Sequence, residues 1–132
     1  MQRIIQGHVG EGRHRLNYTA VAVEGGLTVT LTGGDREHVG AVAVAVPRSS
    51  HRDPKKLSAT TSVIALLGHQ EDELARPLAH QLAVGSGLPA VASVGIHWDD
   101  CTFEDIEASR ALTEEAGQAI LTALAEGALR AT

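Results

Sequence analysis

The sequence predicts an α+β fold, a two-layer sandwich in which a mostly antiparallel, mixed sheet carries two main helices on one face. Segments rich in β-branched residues dominate the first half of the chain, whereas two apolar stripes with helical spacing lie in the second half. The predicted order is four strands, a loop, a strand, a helix, a strand and a helix. No internal repeat divides the chain, so residues 1–132 are expected to form a single domain.

The N-terminal third predicts three strands. Residues 4–5, 16–23 and 27–31 are rich in β-branched side chains. The segment Glu-Gly-Gly at residues 24–26 predicts a hairpin turn between the second and third strands. A second turn is expected at residues 32–35, where two glycines precede an aspartate.

The fourth strand is predicted at residues 39–46, where valines occupy one face and small residues the other. The small residues Ala41, Ala43 and Ala45 indicate that another element, such as a helix, approaches that face closely. We expect Pro47 to end the strand because proline cannot donate a ladder hydrogen bond.

Two further elements follow the basic loop after Pro47. Residues 58–67 are predicted as a fifth strand, although so short an apolar run also allows a buried helical turn. Residues 71–84 are predicted as the first helix because leucines recur at every fourth position, at Leu74, Leu78 and Leu82.

The C-terminal third predicts one strand and one long helix. Residues 89–96 form the sixth predicted strand. Thr102 is predicted to cap the last helix, with Asp105 at the capping-box distance. The apolar stripe of this helix extends to about Leu129 and includes Ile106, Leu112, Ala116, Ile120 and Leu124.

The composition limits the core and the classes of partner. Hydrophobic residues make up 43% of the chain but aromatic residues only 2%, so the core is expected to consist of Val, Ala, Leu and Ile. Because such a core has few large side chains, we expect a subunit interface to supplement it, and hence a homo-oligomer. The net charge of −5 argues against nonspecific nucleic-acid binding, which needs a dense basic surface.

The cysteine count and the hydropathy of the sequence indicate in which cellular compartment the protein is expected. Cys101 is the only cysteine, which fits a reducing cytoplasm and excludes a disulfide framework. We find no basic-then-apolar leader and no apolar run near 20 residues, so neither secretion nor membrane insertion is expected.

Three histidine-bearing segments are the most informative feature of the sequence. His38, His69 and His97 each lie within three residues of a glycine and of a carboxylate, at a boundary between an apolar run and a polar turn. Because imidazole titrates near neutral pH and binds metals, the segments predict a shared site for a polar ligand, a metal or proton transfer. Asp35, Asp72 or Asp99 would then orient the histidines. Coincidence is the alternative, because the chain has seven histidines and their spacing matches no compact metal motif.

A second candidate site is the basic loop that begins at Arg48. Its guanidinium groups and the hydroxyls of Ser58 and Thr60 suit a phosphate, and a solvated basic loop is the alternative. Trp98, next to His97, either stacks on a planar ligand or covers an apolar edge of the sheet. The acidic residues 71–73 are interpreted as the first turn of a helix.

Four segments taken in order resemble a known family. They are Gly-Gly-Asp-x-x-His-x-Gly-Ala-Val-Ala-Val-Ala-x-Pro-Arg at residues 33–48, Ser-Ala-Thr-Thr-Ser-Val at 58–63, Leu-Gly-His-x-Glu-Asp-Glu-Leu-Ala at 67–75 and Gly-Ile-His-x-Asp at 95–99. This pattern resembles the LpdD-like small proteins, which are regarded as prenylated-flavin chaperones that accompany UbiD-type decarboxylases. The similarity covers roughly residues 27–106.

The resemblance implies a small cytoplasmic, oligomeric, non-enzymatic protein. It would bind prenylated flavin mononucleotide (prenylated FMN) and assist its maturation or delivery to a UbiD-type decarboxylase. The implied cofactor-binding residues are Arg48, Ser58 and Thr60 for the phosphate and His38, His69 or His97 for the ring edge. A flat ring could lie against Ala41, Ala43 and Ala45, and a divalent metal ion at His38, His69 and His97 could bridge the phosphate and the protein.

Two other functions stay open at this point. A metal-dependent hydrolase or lyase would use a site formed by His38, His69 and His97, with Asp99 or Glu71 as general base. A structural subunit of a decarboxylase complex would stabilise a larger enzyme without touching the cofactor.

Overall fold

The computed structural model describes residues 2–66 and 71–131, apart from the side chains of residues 72 and 128–131. A short 3-10 turn at Gly12–His14 separates the first two strands. Neither of the helices described is long and apolar enough to cross a membrane. The strands are β1 (Arg3–Val9), β2 (Leu16–Val23), β3 (Gly26–Gly34), β4 (Arg36–Ser49), β5 (Leu57–Ala65) and β6 (Ala90–His97), and the helices are α1 (Asp72–Ser86) and α2 (Phe103–Ala131).

The strands within the described residues form one sheet in the order β1-β2-β3-β6-β4-β5. Every neighbouring pair is antiparallel except β3 and β6, which run parallel. The parallel pair arises because β6 returns from α1 and inserts between β3 and β4. Helix α1 packs on β4, β5 and β6, and α2 packs on β1 and β2. The predicted α+β fold with a mostly antiparallel, mixed sheet is confirmed.

The limits of β4 and β5 differ from the prediction. Strand β4 begins at Arg36, has an irregular register between Glu37 and Ala41, and continues through Pro47 to Ser49. Pro47 is tolerated because the pairing with β6 ends at Ala45, so its missing N–H removes no hydrogen bond on that side. Residues 57–65 form a strand, which excludes the helical alternative for this run.

The core lies between the sheet and the helices and, apart from Trp98, consists of aliphatic residues, as the composition predicts. Ala41, Ala43 and Ala45 are fully buried on the sheet face that α1 covers, so the predicted close approach of a helix is confirmed. The suggestion that a flat ring lies against these alanines is wrong because the helix occupies that space. The largest fully buried side chains are Leu16, Leu31, Leu78, Leu82, Ile120, Val29 and Val94.

The opposite face of the sheet, here called the open face, has no helix packed on it among the described residues. Alternation places apolar and hydroxyl side chains there, and the exposed fraction reaches 73% for Ile64, 60% for Ile4 and 51% for Val46. Apart from Arg48 at one end, whose guanidinium donates to the Thr60 hydroxyl, the residues assigned to the open face are uncharged. Its residues are Ile4, Gln6, Thr19, Val21, Thr28, Thr30, Val42, Val44, Val46, Thr60, Ser62, Ile64, Val91 and Ser93.

Asp105 ties the first turn of α2 to the 3-10 turn between β1 and β2. Its side chain is only 4% exposed and forms an ion pair with Arg13 at 3.0 Å. The ring of His14 lies 2.7 Å from the other carboxylate oxygen. The Thr102 amide donates to Asp105 and the Asp105 amide donates to the Thr102 hydroxyl, which confirms the predicted capping box. The Arg13 guanidinium, with the Thr102 amide and His14, holds the pKa of the Asp105 carboxyl well below its usual range.

We predict that Asp105→Asn lowers the melting temperature most at neutral pH. A carboxyl whose pKa is depressed in the folded state stabilises the fold above its unfolded pKa of about 3.9, and this stabilisation is lost as the pH falls below that value. The difference in melting temperature between wild type and variant should therefore shrink as the pH is lowered from about 4 to about 2. Thermal unfolding followed by circular dichroism measures it.

Asp100→Asn is the matched control because Asp100 is an exposed carboxylate in the turn just before α2. It should leave the melting temperature nearly unchanged. A difference between wild type and Asp105→Asn that stays constant from pH 7 to pH 2 would contradict the assigned role of the ionised carboxylate.

Candidate functional site

Two of the three predicted histidines meet at one end of the sheet. His38 lies near the start of β4 and His97 is the last residue of β6. Their ring centroids are 6.5 Å apart in an edge-to-face arrangement with an interplanar angle of 74°. The prediction that separate histidine segments converge is therefore confirmed for this pair.

Two glycines explain why the strands that carry these histidines come so close. A Cβ atom at Gly95 would overlap the backbone carbonyl of His38, and a Cβ atom at Gly34 would overlap that of His97. Gly34 also has a φ of +81°, which disfavours other residues. The His38 backbone thus needs a glycine in the strand of His97, and the His97 backbone needs one at the end of β3, which gives a physical reason for the glycines near the histidines in the sequence.

Glu71 contacts His38 from the start of α1. Its carboxylate oxygen lies 2.8 Å from Nε2 of His38, and the two side chains are only 8% and 23% exposed. A Cβ atom at Gly40 would lie 2.5 Å from the Glu71 carboxyl carbon, so this glycine lets the carboxylate rest on β4. Glu71 stands at the N-cap position of α1 without capping it, so its side chain is directed to the histidine instead.

Asp99 and Asp35 hold the second histidine. Nε2 of His97 lies 3.1 Å from the Asp99 carboxylate, and the Asp99 amide donates to the Asp35 carboxylate at 2.8 Å. The Asp35 amide in turn donates to the His97 carbonyl at 2.6 Å. Asp35 and Asp99 therefore act as the predicted orienting partners, whereas the side chain of Asp72 lies outside the described residues.

A cleft opens beside His97, between the first turn of α1, the end of β6 and the first turns of α2. Its volume is about 380 Å³, within the usual range of roughly 300–1,000 Å³ for small-molecule sites. Trp98 forms one wall, where its indole N–H donates to the Arg13 carbonyl at 2.8 Å and its ring meets His14 edge-on. The other lining residues include Leu74, Ile96 and Ile106 as apolar groups and Glu71, Glu73 and Arg110 as charged groups.

Arg48, Ser58 and Thr60 lie together, but far from the histidines. Arg48 donates to the Thr60 hydroxyl at 2.8 Å and faces Ser58 across the β4–β5 pair. Ten residues of β4 separate Arg48 from His38, which corresponds to about 30 Å of extended strand. A single flavin mononucleotide is shorter than this, so it cannot contact both places within one subunit.

The predicted metal site is only partly described. His69 lies outside the described residues, so the convergence of all three histidines stays a prediction. Within residues 2–66 and 71–131, no group of three or more His, Cys, Asp or Glu side chains is arranged to hold a metal ion.

Sequence reasoning missed the role of Glu71 and the position of Arg110. The acidic run at residues 71–73 is typical of a helix N-terminus, and nothing in its pattern distinguishes the carboxylate that reaches back to His38. The three histidine segments were detectable because each combines a histidine with a nearby glycine and a nearby carboxylate, whereas an arginine on a helix surface carries no local signal.

Comparison with known proteins identifies the family. The chain matches the model of the prenylated flavin chaperone LpdD-like domain over residues 10–125. A search among curated proteins gives no match. Among solved structures, the fold is similar to a chain in the crystal structure of a novel chaperone complex for yeast 20S proteasome assembly, with a TM-score of 0.63 and 13% identity over 92% of this chain and 96% of that chain. Such low identity indicates a shared fold alone. The match to the family model, which covers most of the sequence, shows that this chain belongs to the prenylated flavin chaperone LpdD-like family.

Proposed function

We propose that this protein binds prenylated FMN in the cleft beside His97 and assists its maturation or its delivery to a UbiD-type decarboxylase in the cytoplasm. The observation that carries the proposal is a cleft with apolar walls, lined by His97 with His38 next to it, in a member of this family.

The chemistry of the cleft fits a flavin ring. Leu74, Ile96 and Ile106 offer apolar surface to a planar ring system, and Trp98 extends it. The edge of a flavin ring carries both hydrogen-bond donors and acceptors, and a neutral imidazole offers one of each. His97, whose side chain is 43% exposed, is accessible to such an edge.

His38 supports the ring edge from behind. Glu71 lies against one ring nitrogen of His38 and fixes the orientation of the imidazole, as carboxylates do for histidines at many functional sites. We propose that His38 and His97 bind the flavin, and that His69, two residues before Glu71 in sequence, contributes as well. Arg48, Ser58 and Thr60 stay predicted phosphate ligands, but only for a flavin bound elsewhere than in this cleft, because they lie too far from His38 and His97 to contact the same molecule within one subunit.

We predict that His97→Ala weakens binding of prenylated FMN roughly three- to tenfold, the loss expected for one hydrogen bond. His38→Ala and His69→Ala should weaken it as well. Anaerobic titration of the purified protein with prenylated FMN, followed by absorbance and calorimetry, measures the affinity, and plain FMN tests selectivity.

His80→Ala provides the matched control because His80 is exposed on α1 and does not line the cleft. It should bind the flavin as wild type does. Melting temperatures close to wild type would show that His38→Ala acts on the site rather than on the fold. Unchanged affinity in both His38→Ala and His97→Ala would rule out the assigned cleft, whereas bound metal with substrate turnover would favour the hydrolase alternative.

We also propose that the open face joins two copies of this chain. Six strands about 4.8 Å apart and about eight residues long present roughly 700 Å² on this face, close to the roughly 800 Å² that each partner buries in a stable complex. The middle of the face is uncharged although the chain carries −5, so two copies meet there without opposing carboxylates. The exposed Val44, Val46 and Ile64 supply the apolar contact.

We predict a homodimer of twice 13.8 kDa for the wild type in size-exclusion chromatography with light scattering. Val44→Glu and Ile64→Glu should yield monomers because each places a charge in the middle of an apolar contact. Phe103→Glu is the matched control, since Phe103 is 76% exposed on α2, away from the open face. A monomeric wild type, or a dimer that survives both substitutions, would disprove the open-face dimer.

A further inference from the structure

A second cavity lies next to the cleft, between α1 and α2. It measures about 680 Å³ and shares Glu73, Leu74 and Arg110 with the cleft beside His97. Because three residues line both cavities, the two form one continuous groove. Its far end is bounded by Gln81 of α1 and Glu114 of α2, and the Gln81 amide donates to the Glu114 carbonyl there.

We propose that this interhelical groove binds the phosphate end of the mononucleotide, with Arg110 and Arg76 as the anion ligands. The inference rests on the proposed function and names the residues that recognise the phosphate. The ring would occupy the cleft beside His97, and the ribityl phosphate would extend along the groove between the helices.

Arg76 and Arg110 approach the groove from opposite helices. Arg76 donates one N–H to the Thr61 carbonyl at 3.1 Å, and a guanidinium carries five donors, so further N–H groups are available to a ligand. Arg110 pairs with Glu73 at 3.2 Å, with exposed fractions of 56% and 66% for the two side chains. Both arginines line the groove together with Glu73 and Glu114, and a guanidinium suits a phosphate, which accepts several hydrogen bonds.

Thr113 supplies an independent indication that a polar ligand belongs in this groove. It lines the second cavity one turn after Arg110 and is only 4% exposed. Its buried hydroxyl makes no hydrogen bond to the residues that the structure describes. Buried hydroxyls are normally hydrogen-bonded, and a ligand oxygen in the groove would provide the missing partner.

The Arg110–Glu73 pair crosses the groove at the boundary between the two cavities. Exposed ion pairs of this kind contribute little to stability, so an incoming phosphate can displace Glu73 from Arg110 at small cost. Glu73 therefore competes with the phosphate for the same guanidinium. This competition predicts effects of opposite sign for the two partners of the pair, which a purely structural ion pair would not give.

The test is anaerobic titration of full-length variants with prenylated FMN and with its dephosphorylated form, prepared by phosphatase treatment. Arg110→Gln and Arg76→Gln should each weaken binding of the phosphorylated ligand about tenfold, the effect expected for loss of a charge-assisted hydrogen bond. Glu73→Gln should strengthen it severalfold because Arg110 becomes free. None of the three should change binding of the dephosphorylated ligand.

Arg15→Gln is the matched control, because it removes the same charge at an exposed residue that lines neither cavity, whereas Arg48→Gln tests the β4–β5 position as the rival phosphate site. Equal binding of the phosphorylated ligand by wild type, Arg76→Gln and Arg110→Gln would overturn the groove assignment while leaving the proposed function intact. A loss confined to Arg48→Gln would overturn it in favour of the β4–β5 position. Equal losses for both ligands would show that the arginines shape the groove without binding phosphate. If wild type binds neither ligand, the proposed function fails as well.

Discussion

Close packing of small side chains between α1 and the middle of the sheet is the constraint on which the rest of the structure depends. Alanines of the helix, including Ala75, Ala79 and Ala83, face the sheet where Ala43 and Ala92 of the neighbouring strands β4 and β6 lie, all fully buried. With so little side chain between the layers, the helix lies close to the strands. The first residues of α1 therefore rest directly on β4. Glu71 contacts His38 for this reason, although no signal in the sequence links the two.

The same packing makes the two faces of the sheet unlike. The face under the helices takes alanine, leucine and valine at alternate positions, and the other face takes valine, isoleucine and threonine in between. With only 2% aromatic residues, the chain has few large side chains with which to thicken its single core. The uncharged middle of the open face, with Val44, Val46 and Ile64, is physically consistent with a second apolar layer contributed by another copy.

Local pattern was sufficient for most of the fold. Valine and alanine alternate in β4, leucines of α1 recur every four residues, and Thr102 and Asp105 have capping-box spacing; each is a short-range signal that the structure bears out. The prediction that Pro47 ends β4 was wrong. A proline interrupts a strand only where a neighbouring strand would accept its N–H hydrogen bond, and the pairing of β4 with β6 ends before Pro47. The contact between Glu71 and His38 likewise could not be predicted from the sequence, since it depends on how closely α1 approaches β4.

The sheet separates the two proposed surfaces. The cleft beside His97 and the groove at Arg110 lie in the helical layer, whereas the open face lies on the other side. A dimer formed through the open face would leave the cleft and the groove of each copy directed outward and accessible to a decarboxylase. Arg48, in contrast, lies at the end of the strands that border the open face, where a second copy would restrict its access to a ligand. A dimer through the open face would therefore favour the interhelical groove over the Arg48 loop as the phosphate site, because only the groove would stay open in it.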